Sequence, residues 1–70
     1  MIEIDARGLS CPIPVVKTKK AIEKNPGSEI AVLVDNQVAK ENVLMLALDK
    51  GYSVNQEKLD DGFRLVLKPK

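Results

Sequence analysis

Seventy residues allow one domain at most, and a core of that size leaves a stability margin of only about 3–5 kcal/mol. Eleven Lys and Arg against ten Asp and Glu give a net charge of +1, which argues against a general binder of polyanions such as nucleic acid. With no histidine and a single cysteine, the composition excludes Cys-His catalysis, histidine acid–base chemistry, a metal site of His or Cys ligands, an internal disulfide and a Cys-x-x-Cys redox pair.

Along the chain, Ile2-Glu3-Ile4-Asp5-Ala6 alternates apolar and polar residues and predicts a half-buried first strand. Arg7-Gly8-Leu9-Ser10 reads as a loop, with Gly8 free to turn and Ser10 available to cap the coming helix. A first helix is expected over about residues 12–24, with Val15, Thr18, Ala21 and Ile22 on one face. Lys17, Lys20 and Lys24 fall on a face that should be wet, and Asn25-Pro26-Gly27 stops the helix. Residues 29–34 contain the apolar run Ile30-Ala31-Val32-Leu33-Val34, the pattern of a central strand. Asp35-Asn36 supplies an N-cap for a second helix over about residues 37–50, and Gly51 suits its C-terminal end. That helix should turn Val43, Leu46 and Ala47 to the core, leaving Leu44, Met45 and Leu48 in surplus. A third strand over about residues 52–59, the hairpin turn Asp60-Asp61-Gly62 and a fourth strand over residues 63–67 complete the pattern. The fold class is therefore an α+β two-layer sandwich of order β-α-β-α-β-β. It has a mixed four-stranded sheet, its first two strands parallel through a right-handed crossover and its last two an antiparallel hairpin, with two helices on one face.

The segment with most chemistry is Ser10-Cys11-Pro12-Ile13-Pro14. Proline fits the first turn of a helix, where its missing N–H would have no partner. Cys11 thus precedes a helix N-terminus, whose unpaired N–H groups and positive dipole end favour an anion. A free thiol titrates near pH 8.5, and such a position lowers that by about one to several units. Cys11 is accordingly a candidate nucleophile or group carrier, with Pro12 and Pro14 fixing the turn that presents it.

The stretch Asp5-Ala6-Arg7-Gly8-Leu9-Ser10-Cys11-Pro12-Ile13-Pro14 resembles the signature of the TusA/SirA-like sulfur-carrier family: an acid, a Gly-Leu pair, then Cys-Pro-x-Pro opening a helix. The family's small β-α-β-α-β-β domain, similar to the C-terminal domain of translation initiation factor three, matches the whole chain, so residues 1–70 are expected to form a single TusA-like domain. Residues 34–43, Val-Asp-Asn-Gln-Val-Ala-Lys-Glu-Asn-Val, are similar to the N-terminal domain of the YedF branch, linked to selenium metabolism. That branch adds a DsrE-like domain, so a stand-alone relative and a separated domain both remain open. The resemblance implies that Cys11 accepts sulfane sulfur as a persulfide from a donor such as a cysteine desulfurase and hands it to an acceptor protein. No cofactor or metal is needed, in keeping with the missing histidines. It also suggests that Asp5 orients the loop around Cys11.

Arg7 either offers charge to the thiolate or is simply solvated. The lysines, Lys17 and Lys20 foremost, either form a wet face or dock an acidic partner close to Cys11. Leu44, Met45 and Leu48 either pack beneath loops or form a surface for a partner or for a homodimer through the second helix. Two other readings stay open: a carrier of selenium, and a non-catalytic binding or regulatory module in which Cys11 is incidental. The acidic start of the chain lacks the basic region of a signal peptide, and no apolar run approaches a membrane span, so a soluble cytoplasmic protein is expected, with no membrane partner. A free thiol agrees with a reducing compartment.

Overall fold

Apolar residues spaced by two give strands here and apolar residues spaced by three or four give helices, and the two periods alternate along the chain. The structure is a computed structural model that describes residues 2–8 and 13–69. The elements are β1 (Ile2–Asp5), α1 (Ile13–Lys24), β2 (Ile30–Val34), α2 (Gln37–Asp49), β3 (Tyr52–Leu59) and β4 (Gly62–Pro69). The sheet order is β1-β2-β4-β3, with β1 parallel to β2 and β4 antiparallel to both its neighbours. This is the expected α+β sandwich. The apolar run of β2 occupies the expected central place, and four of its five residues are buried.

Register explains how one face becomes the core. Ile4, Val32 and Leu65 lie side by side across three strands, as do Ile2, Ile30 and Leu67. Period-two alternation sends these rows to the same side of the sheet. The helices answer with ridges at i, i+4, i+8: Pro14, Thr18 and Ile22 on α1, and Ala39, Val43 and Ala47 on α2. Thr18 is fully buried and its hydroxyl donates to the Pro14 carbonyl at 2.8 Å, which satisfies its polar atom inside the core.

Several boundaries and faces differ from expectation. The α2 core face is Ala39, Val43 and Ala47, and Leu46 is only half-buried. It stands one position off the ridge, so its side chain points along the flank. Pro14, read as a helix-start residue, is also a core residue. β2 starts one residue later than expected, and the carbonyl of Glu29 instead accepts the Ile2 N–H at 3.0 Å. The fourth strand is longer than expected, running from Gly62 through Pro69. The expected start of α1 at Pro12 lies outside the described residues.

The caps of α2 are those its sequence advertises. The Asn36 side chain accepts from the Ala39 N–H at 2.8 Å, and Gly51 takes the left-handed φ of 83° beyond the last turn. Lys40 places its ammonium 4.8 Å from the centre of the Phe63 ring, tying α2 to β4. Among the described residues no helix is long and apolar enough to cross a membrane.

Candidate functional site

The parallel strands β1 and β2 end at the same side of the sheet as the turn that opens β4, because β4 runs antiparallel to β2 and pairs Phe63 with Val34. Three connections therefore meet there: the loop that leads from β1 into α1, the β2–α2 junction, and the β3–β4 hairpin. Gly62 makes the approach close. A Cβ at this position would fall onto the Val34 carbonyl oxygen and lie 2.9 Å from the Asp35 Cα.

At this meeting point the chain entering the Cys11 loop is latched by carboxylates. Asp5 accepts from the Arg7 guanidinium through both oxygens, Nε to Oδ1 and Nη2 to Oδ2, each at 2.9 Å, and from the Arg7 backbone N–H at 3.1 Å. This two-pronged contact is the strong form of an ion pair. The third arm of Arg7, Nη1, donates to Asp61 Oδ2 at 3.2 Å, reaching from the loop to the hairpin turn. The next residue, Gly8, donates its backbone N–H to Asp35 Oδ2 at 2.6 Å, and Asn36 donates its amide to the other Asp35 oxygen at 3.2 Å. Gly8 has φ of 77°, a left-handed backbone conformation that glycine adopts without strain, and in it the Gly8 N–H meets Asp35.

The electrostatics follow from these bonds. The Arg7 side chain, and after it the Arg7 backbone N–H, hold the Asp5 carboxyl down to about 2 from its ordinary 3.8. Asp5 in turn raises the guanidinium further above its ordinary value. The Arg7 charge is thus shared between two carboxylates.

The remaining candidates divide by place. Ser10, Cys11 and Pro12 lie outside the described residues. Pro14 is buried in the first turn of α1. Lys17 and Lys20 are exposed and line a groove of about 420 Å³ between α1 and β1, together with Glu3, Ile4, Asp5, Ala21, Lys24 and Asn25. Met45 is 68% exposed on the far side of α2. Among the described residues no three His, Cys, Asp or Glu side chains gather as a metal-binding group.

Sequence reasoning did not find Asp35 and Asp61. Both sit in turns, where an aspartate is explained by turn chemistry alone. One signal was available: Asp35-Asn36 offers two N-cap candidates for one cap position, and Asn36 fills it, which leaves the Asp35 carboxylate free for a different partner.

A family model described as sulfurtransferase TusA matches residues 2–68. The inferred sulfur carrier protein of Methanocaldococcus jannaschii is 43% identical over 97% of this chain and 93% of its own length. A second inferred sulfur carrier, from Archaeoglobus fulgidus, is 38% identical over 97% of this chain and 92% of its own length. A SirA-like protein from Desulfitobacterium hafniense, solved by crystallography, superposes with a TM-score of 0.88 at 36% identity, covering all of both chains. A match of this extent in sequence, together with the same strand-and-helix order in space, means that the chain belongs to the TusA family of SirA-like sulfur carriers.

Proposed function

We propose that this protein relays sulfane sulfur as a persulfide on Cys11. The Cys11 thiolate attacks the outer sulfur of a donor persulfide, such as that of a cysteine desulfurase. A new S–S bond forms on Cys11, the donor's S–S bond breaks, and the donor leaves as its thiolate. The same exchange in reverse roles delivers the sulfur to an acceptor protein. No external oxidant, metal or general base enters, in keeping with a chain that has no histidine.

The observation that carries this reading is the position of the only cysteine, inside Cys-Pro-x-Pro, between two fixed points. Upstream, Arg7 and Gly8 are tied to three aspartates. Downstream, α1 begins at Ile13, two residues later. A helix N-terminus favours a thiolate or persulfide anion in its neighbourhood. Asp5, Arg7 and Gly8 act as positioning residues for the loop, and Pro14 anchors the start of α1 in the core. We assign residues 1–70 to a single TusA-like domain and the relay to the cytoplasm, where a lone thiol stays reduced.

The test is mass spectrometry after incubation with a cysteine desulfurase and cysteine. The wild-type chain gains one sulfur atom, removable by a thiol reductant, and Cys11→Ser gains none. A wild-type chain that takes up no sulfur from any persulfide donor ends the proposal.

A further inference from the structure

Among the described residues β1 and β3 are the edge strands of the sheet, and β1 is the one that borders the lysine groove. The Ile2 N–H donates to Glu29 and the Ala6 N–H to Leu33, both on the β2 side. Successive residues of a strand direct their backbone groups to opposite sides. The N–H and C=O of Glu3 and Asp5 are therefore turned to the open edge, and both residues line the groove. An edge of this kind is a template for one more strand.

Across the groove stand Lys17, Lys20 and Lys24 on α1, with Ala21 as the small residue between them. At 1.5 Å per residue the three span roughly 10 Å along the helix. An extended chain lying in the groove brings same-side residues past them about 6.7 Å apart, so two carboxylates at alternate positions meet the three ammonium groups. The groove's own acids oppose this weakly. Asp5 is neutralised by Arg7, and Glu3 alternates with the half-buried Ile4, so its side chain leaves on the sheet face away from α1. Lysines that guard an edge against pairing sit on the strand itself. These sit opposite it, where they attract an incoming acidic strand.

We infer that the groove between β1 and α1 docks an extended acidic segment of a partner protein, which adds to the sheet at the Glu3–Asp5 edge and pairs its carboxylates with Lys17, Lys20 and Lys24. The inference rests on the sulfur-relay reading for its purpose, since a carrier needs a partner it can hold briefly and release. A four-residue edge and exposed ion pairs give contact of that weak kind.

The experiment is amide hydrogen exchange by NMR on the full chain. The probe is a capped seven-residue peptide, Thr-Val-Glu-Val-Glu-Val-Thr, with a twin carrying glutamine in place of glutamate. The acidic peptide should slow exchange at Glu3 and Asp5 by about tenfold or more and leave Ile4 unchanged, because the Ile4 amide already faces β2. Protection should vanish with the glutamine twin, at about 0.5 M salt, and in the Lys17→Glu, Lys20→Glu double variant, while Lys58→Glu on β3 keeps it. Binding without protection of Glu3 and Asp5 overturns the strand pairing. Protection by both peptides overturns the role of the lysines. Protection that rises with protein concentration alone assigns the edge to a second copy of the chain and overturns the partner. Sulfur loading of Cys11 is read separately by mass. Normal loading without protection defeats the groove, whereas protection without loading defeats the relay and leaves the groove standing.

Discussion

The two helices bury the same ridge and differ in the balance of charge and apolar surface that they present to solvent. Each turns three residues spaced by four into the sheet, Pro14, Thr18 and Ile22 on α1 and Ala39, Val43 and Ala47 on α2. Outwards, α1 carries Lys17, Lys19, Lys20 and Lys24 beside the less exposed Ile13 and Val16, whereas α2 carries Val38, Met45 and Leu48 at 60%, 68% and 53% exposure beside Gln37, Glu41 and Asp49. Helical periodicity fixes the buried ridge, because only one stripe of a helix can meet a sheet. It places no demand on the opposite stripe. The outer faces are therefore where a common scaffold can differ, one richer in positive charge and the other in exposed apolar side chains.

The comparison can be broken most severely at the floor both helices share. Gly62→Ala drives a methyl group into the Val34–Asp35 backbone and should cost more than about 3 kcal/mol, most of the margin of a chain this size. A urea melt reads it, and a variant within 1 kcal/mol of wild type, taking about 1 kcal/mol as the scale of an ordinary substitution, would show that the strands part there at little cost. Next come the ridges themselves. Ile22→Ala and Val43→Ala should each lose about 2–4 kcal/mol if the helices contribute alike to the core. A large loss on one helix alone would mean that their inner faces are not equivalent.

Asn36→Ala is smaller, about 1 kcal/mol by thermal melting, since it removes the bond to the Ala39 N–H and leaves α2 uncapped. The smallest effect is the pH response of the latch. Asp5 has a lowered pKa in the folded chain, so its contribution is complete above pH 3.8 and is lost as the pH falls through about 2. Both partners are exposed, so the loss is slight. Comparing wild type with Asp5→Asn in urea at about pH 5 and about pH 2.5 isolates it, and the variant should lack that share of the acid destabilisation.

Much of this was legible without coordinates. The Ile2–Asp5 alternation, the apolar run of β2, the Asn36 cap and the Asp60-Asp61-Gly62 turn each rest on neighbours within a few residues, and local steric and hydrogen-bonding rules suffice to read them. Leu46 was misplaced because five of its neighbours are also apolar, so periodicity alone could not choose between adjacent positions on the helix. The latch was out of reach for another reason. Arg7 and Asp61 are 54 residues apart and Gly8 and Asp35 are 27 apart, and no local rule couples such positions.

Residue order and local chemistry were enough for the order of elements, their caps and turns, and the place of the single cysteine before Pro-x-Pro. It took the folded chain to show that β4 lies between β2 and β3, that three aspartates converge on Arg7 and Gly8, and that the edge strand β1 shares a groove with a row of lysines. The first set depends on the period of side chains along one segment. The second depends on which segments share a hydrophobic face, and strand pairing settles that only when the whole core closes.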